Sequence, residues 1–255
     1  HTFYRYIYQL ILAGSYDEVR KECEFCDNLT LNMIICGLDD YIDPQKDTQI
    51  EGSFTSQQGI KKHALWRRSV YSLSLNPNLD KYEAAIYSYL AGDIPNSTEA
   101  EDRDWSVELL LYLNQIWQIC IENYLTQQGR INAEELIVKM PSQPLSLQDT
   151  LNIVSSQHQS ESEHPIRVLM GAVILNNVSS VIGSSVEMLL DVVKGIETNN
   201  DLFDEPYLLR IVTHLAIFID MICPNTIDEA DKSRLITAYV TILSLYELYE
   251  TVPVY

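Results

Sequence analysis

Positive charge is what this chain has least of. It carries 17 Lys and Arg against 36 Asp and Glu in 255 residues, a formal net charge of −19 at pH 7. The field of the whole chain therefore repels nucleic acid and anionic lipid head groups, both of which recruit proteins through clustered Lys and Arg. No direct nucleic-acid partner is expected, and a protein partner fits the charge better. Glycine and proline are also scarce, nine of each, and the prolines stand at segment boundaries, which argues against disorder. No apolar run reaches the ~18 uncharged residues that a membrane span needs, so membrane insertion is not expected. The five cysteines, Cys23, Cys26, Cys36, Cys120 and Cys223, form an odd count spread through helical segments. They suit reduced thiols of the cytosol or nucleus better than a disulfide framework. The Asn-x-Ser/Thr triplets at Asn28, Asn96 and Asn177 are then chance matches.

Catalytic signatures are missing as well. There is no Walker loop, GxGxxG turn or nucleophile elbow, and His1, His63, His158, His164 and His214 show no HExxH or other ligand spacing. His214 lies in an apolar helix, where a satisfied core histidine is expected. Cys23 and Cys26 form a lone CxxC; a structural zinc site needs four ligands, and a redox pair wants a thioredoxin-like strand before it, so two small core residues one turn apart is the better reading. The sharpest enzymatic alternative is Asp39, Asp40 and Asp43, which spell the DDxxD that holds magnesium ions against a diphosphate in all-α isoprenoid enzymes. Pro44 follows at once, and the second metal-binding element is absent from Asn199 to Asp204, so solvated helix-end acids are expected. No enzyme, cofactor or metal is predicted.

What the chain does have is helical periodicity from end to end. With 46% apolar residues it has enough for a sizeable core, and apolar positions recur at 3.6-residue spacing throughout. From Ile60 to Gly92 two amphipathic helices are hinged at Asn76-Pro77. Leu65, Trp66, Ser69, Val70 and Leu73 mark the first stripe, and Tyr82, Ala85, Ile86 and Tyr89 the second, opened by an Asp80/Glu83 capping box. Upstream, an aromatic-rich helix closes at Gly14, Ser15 with Glu18 opens the next, and Asn28 caps Leu29 to Leu38. Downstream, Trp105 to about Gln127 is a long helix, apolar on several faces and expected to be central. Shorter helices follow: Asn132 to Met140, one opened by Ser146 and Asp149, Val168 to Asn177, Val181 to Lys194, Pro206 to Cys223, and a last helix capped by Thr226 with Glu229. The stretch Gln157 to Glu163 reads as a polar loop. The tally is about 11 or 12 helices without a fixed sequence period, an irregular α-helical solenoid or folded-back stack in one domain. Leu65, Trp66, Tyr82, Ile86, Trp105 and Trp117 are the expected core anchors.

Several of these elements resemble a known family. LILAGSYDEVRKECEFC, the LWRR helix, KYEAAIYSYLAGD and DWSVELLLYLNQIW stand in the same order as in the nuclear-pore scaffold family of nucleoporin 107 and nucleoporin 84, in its yeast form, with Tyr8 to Leu125 carrying the likeness. The resemblance implies a solenoid of the ancestral coatomer element type bent back on itself, residing in the nuclear pore complex at the nuclear envelope. It implies a scaffold role in the Y-shaped subcomplex, supporting nucleocytoplasmic transport and mRNA export. The implied partners are a sister helical nucleoporin, itself bound to a β-propeller subunit, and a further nucleoporin held by a C-terminal tail. The chain starts in mid-helix without a methionine and is expected to be an internal piece of a longer protein. A vesicle-coat-like helical adaptor is the alternative within scaffolds. The partner-binding residues are expected in the short segment that is apolar nearly all round, at Leu31, Met33, Ile34, Ile35 and Leu38, with Met33 and Ile34 at the centre.

Overall fold

The computed structural model describes residues 2–38, 58–96, 103–137, 139–194 and 206–254. Among them the chain is all-α, with twelve α-helices, three short 3-10 turns and no strand. The helices are α1 (Thr2–Leu12), α2 (Tyr16–Phe25), α3 (Leu29–Ile35), α4 (Gln58–Ser74), α5 (Lys81–Ala91), α6 (Trp105–Gln127), α7 (Leu147–Gln157), α8 (Gln159–Ser162), α9 (Pro165–Ile174), α10 (Val178–Val193), α11 (Pro206–Ile222) and α12 (Glu229–Leu245). No helix among the described residues is long and apolar enough to cross a membrane. Contacts gather the chain into two compact units, His1–His158 and Gln159–Tyr255. The division falls in the polar stretch that the sequence marks at Gln157 to Glu163.

In the first unit α4 and α5 form the expected hairpin, and α5 packs against α1, which in turn lies beside α2, with α2 against α3. The core is built from Ile7, Tyr8 and Ile11 of α1, Val19 and Cys23 of α2, Leu31 and Ile35 of α3, and Tyr82 and Ile86 of α5. The second expected stripe of the hairpin is therefore the buried one. The first is rotated. Along α4 the inward positions are Ile60, Ala64, Arg67 and Val70, while Leu65 is 63% exposed and Trp66 is partly buried. The reason is Arg67. Its Nε donates to the carbonyl of Ala91 at 2.5 Å, the last residue of α5, and its guanidinium pairs with Glu122 of α6. With an acceptor and a counter-charge waiting, a cation takes the central place that apolar patterning assigns to its neighbours.

The same substitution of polar for apolar occurs on α6. Its inward residues include Trp105, Glu108, Leu109, Leu111, Gln115 and Ile119, whereas Trp117 is 64% exposed, on the opposite side of the helix from the position expected of it. Arg103 forks onto Glu108, Nε to Oε2 at 2.8 Å and the second nitrogen to Oε1 at 2.9 Å. It also donates to the carbonyl of Pro95 at 2.8 Å, so a buried acid in the first turn of α6 fastens the chain that enters it. Asn114 donates to the Tyr89 carbonyl at 2.8 Å, tying α6 to α5.

The helix ends follow the expected chemistry with some changes. Asp80 caps α5 by accepting from Tyr82 N at 2.9 Å, and Glu83 accepts from the hydroxyl of Tyr87 at 2.8 Å. Ser15 stands at the start of α2 without a side-chain cap bond. Ser146 caps α7 in full, accepting from Asp149 N at 3.0 Å. In α12 the cap is Asp228, not Thr226: its carboxylate accepts from Ala230 N and Asp231 N, and a carboxylate also complements the helix dipole, which a hydroxyl does not. Only a 3-10 turn, Ala133–Glu135, forms where Asn132 to Met140 reads as a helix, and α8 adds one turn inside the predicted polar loop.

The second unit packs α9, α10, α11 and α12 around Ile182, Val186, Leu208, Leu209, Val212, Ala216 and Leu235. Pro165 holds the first helical position of α9, where its fixed φ and missing N–H cost nothing. Lys232 of α12 reaches Asp220 of α11 at 2.6 Å and Glu229 of its own helix at 2.7 Å, closing the α11/α12 pair. His214, expected in the core, is exposed and sets Nδ1 2.6 Å from the Arg210 carbonyl.

Candidate docking surface

Seven residues make α3, and the five predicted contact residues, four in it and Leu38 in the 3-10 turn that follows, divide between buried and open sides. Leu31 and Ile35, four apart and so on one face, are fully buried in the first unit's core. Met33 points the other way and is 76% exposed. Ile34 and Leu38 are partly buried and pack on the core cluster. The segment is therefore not covered all round. Its inner edge belongs to the fold and its outer edge is open, which narrows the centre of the candidate surface from Met33 and Ile34 to Met33.

Two residues that the sequence reading passed over complete the open edge. Leu29, one turn before Met33 on the same face of α3, is 61% exposed, and Phe25, the last residue of α2, is 88% exposed. Single exposed apolar side chains are ordinary; two large ones on one face of a seven-residue helix, with a third at the end of the helix before it, are not. The signal was present as the spacing of Phe25, Leu29 and Met33, but it crosses a break between helices, where Asp27 turns with φ of 54°. Helical periodicity cannot be carried across such a turn. Beside Phe25 the acids Glu24 and Asp27 are exposed, with Lys21 one turn earlier on α2, so the rim next to the edge is mainly acidic.

The edge is held from behind at both ends of α3. Asn28 accepts from Leu31 N at 3.1 Å and donates to the Tyr4 hydroxyl at 3.4 Å. At the other end the indole Nε1–H of Trp66 donates to the Ile34 carbonyl at 3.0 Å. Gly37 rests against the same indole so closely that a Cβ there would fall among the ring atoms. Beneath, Cys23 is buried and its thiol is pushed up to about 11, chiefly by burial and then by Cys26, Glu22 and Glu24. That is the behaviour of a small core side chain; Cys26, expected in the core one turn on, is instead exposed at the end of α2, and both are free thiols.

This combination of an all-α unit, an apolar edge and an acidic rim is shared with no enzyme signature, and comparison with known proteins supplies what it lacks. The model of the family Nuclear pore protein 84 / 107 matches residues 1–255. The chain belongs to the nuclear pore protein 84/107 family. Nucleoporin nup107 of Schizosaccharomyces pombe is 26% identical over 257 residues, covering 99% of this chain and 31% of that protein. Nucleoporin NUP84 of Chaetomium thermophilum is 24% identical over 231 residues, covering 75% of this chain and 24% of the relative. The nuclear pore complex protein Nup107 of Homo sapiens is 22% identical over 251 residues, covering 94% and 25%. The chain thus spans about a quarter to a third of the length of these curated relatives.

Within this nucleoporin-family chain other candidate sites carry less. Asp39, Asp40 and Asp43 lie outside the described residues, as do Gly195 and the stretch Asn199 to Asp204. Among the described residues, no group of three or more His, Cys, Asp or Glu is placed to hold a metal ion. In the second unit α11 leaves Phe218 and Met221 exposed beside a cavity of about 610 Å3 that Arg210 and His214 also line.

Proposed function

We propose that this chain is a structural segment of a scaffold nucleoporin in the Y-shaped nuclear pore subcomplex, and that it binds a sister helical nucleoporin through Phe25, Leu29 and Met33. In this reading both units belong to one helical domain of the solenoid type, the role is architectural and not enzymatic, and support of nucleocytoplasmic transport and mRNA export follows from pore assembly. The sister nucleoporin's own β-propeller subunit, and a further nucleoporin bound by another part of the longer protein, complete the partner set. The observation that carries the proposal is Met33: a large, adaptable apolar side chain held three-quarters exposed on a helix whose other face is fully buried. The acidic rim around it favours a partner that presents apolar residues ringed by Lys and Arg, which steers the encounter.

Met33→Asp in the full-length protein tests this against the sister helical nucleoporin of the same species. Substitution at an exposed site leaves the fold alone, while a charge at the centre of an apolar contact is expected to weaken binding by at least a hundredfold, about 3 kcal/mol. Titration calorimetry of the two purified proteins reads it. A folded Met33→Asp protein that binds at full affinity moves the interface elsewhere.

A further inference from the structure

A helix of seven residues does not hold itself in water, since isolated helices shorter than ~12–15 residues are marginal. The orientation of α3 is therefore set by what grips it. The carbonyl of Ile34 accepts a backbone N–H at the C-terminal cap of the helix, and its second lone pair accepts the indole N–H of Trp66 at 3.0 Å. The next residue but two, Gly37, lies flat on the same ring, with no room for a side chain. Trp66 sits on α4, which is itself clamped to α5 and α6 through Arg67. One side chain thus connects the end of α3, and the 3-10 turn Cys36–Leu38 after it, to the most extensively paired helices of the unit.

We infer that Trp66 is a positioning residue for the docking edge: it fixes where α3 presents Leu29 and Met33 and touches no partner itself. The inference rests on the docking proposal above. Trp66 acts through two backbone elements, the Ile34 carbonyl and the Gly37 Cα, so its effect is on the register of the edge and not on its composition. An edge held in its bound position before the partner arrives spares the ordering cost of association. Without the indole bond the last turn of α3 and the turn after it keep only the buried side of the helix and the backbone cap bonds to hold them, and part of the ordering of the edge is left to the moment of binding.

Trp66→Phe in the full-length protein keeps an aromatic ring and removes the N–H. The expected result is a folded protein that binds the sister helical nucleoporin about fivefold to tenfold more weakly, as loss of one hydrogen bond's ordering implies. Backbone amides from Cys36 to Leu38 should exchange faster in the free protein, while those of α4 and α5 keep their protection. The effect should also be non-additive with Met33→Ala, because both act on one edge; a residue of merely general structural importance gives additive losses. Should Trp66→Phe fail to fold, Gly37→Ala, which pushes the turn off the same ring, is read in the same way. Full affinity for Trp66→Phe, or for Gly37→Ala in its place, while Met33→Asp abolishes binding, overturns the positioning role and leaves the docking surface standing. Full affinity for Met33→Asp removes the docking surface itself, and with it this inference.

Discussion

At the scale of single residues the decisive choice is Arg67. A guanidinium in the core is tolerated because its Nε bonds the Ala91 carbonyl and its charge faces Glu122. One turn earlier on the same helix, His63 feels both the burial and the cation, and its imidazole is pulled down to about 4. Breaking a buried ion pair by removing one partner typically costs ~3–5 kcal/mol. Glu122 keeps some access to water, so Arg67→Met is expected near the lower end, about 3 kcal/mol, in urea unfolding followed by circular dichroism; a loss below about 1 kcal/mol would place the ion pair in solvent. His63 adds a pH dependence whose sign is determined by its depressed folded value. The neutral ring is favoured in the fold, so its contribution is complete above the unfolded value near 6.5 and is lost as pH falls from there through about 4. Melting temperatures measured from pH 7 down to 4.5 should therefore fall more steeply for the natural chain than for His63→Gln. Parallel curves would show that the imidazole is as well solvated in the fold as out of it.

At the scale of elements, helices existed in the sequence as periods and caps, and most of them formed with the expected bounds; α6 begins at Trp105 and ends at Gln127 as its pattern implies. Which face of each helix turns inward was harder to read. Apolar patterning put Leu65 and Trp117 inside, and both are exposed, because Arg67 occupies a core position through partners distant in sequence and Glu108 another through Arg103, just before the helix. The junction of α5 with α6 makes the same point. Gly92 ends α5 with φ of 78°, and a Cβ there would lie 2.7 Å from Cγ of Gln118. The positive φ is legible as a helix-stop glycine, but the crowding by Gln118 is a tertiary fact. Gly92→Ala should destabilise the first unit by about 2 kcal/mol, more than the ~1 kcal/mol of backbone strain alone. Thermal unfolding of the variant beside Gly14→Ala, whose glycine also has a positive φ but open space around it, separates the two terms; equal losses for both would show that Gln118 moves aside freely.

At the scale of the whole molecule the excess of acid dominates. A net charge of −19 repels itself in the compact state, and added salt shortens that repulsion to about 8 Å at ~0.15 M. Raising sodium chloride from 20 to 150 mM (about a threefold shortening of the screening length) is expected to raise the melting temperature by a few degrees. An unchanged or lower melting temperature would mean that the structure's own ion pairs, such as Lys232 with Asp220, outweigh the long-range repulsion. The same acidity shapes recognition: an apolar edge rimmed by Glu24 and Asp27 selects a partner surface of opposite character.

Helix content, the positions of most caps and the acidic character of the chain were determined by the sequence alone, because periodicity, capping and net charge are local or additive properties of the residues. Family membership was also legible, in the order of the LWRR, KYEAAIYSYLAGD and DWSVELLLYLNQIW segments. The face that each helix buries, and therefore the division of α3 into an inner edge of Leu31 and Ile35 and an outer edge of Leu29 and Met33, was decided only in the tertiary structure. A run that is apolar all round has no preferred side until neighbours cover one of them. Trp66 and Gly37 meet across 29 positions of sequence, and no pattern within either segment announces that an indole of one will cap a carbonyl of the other.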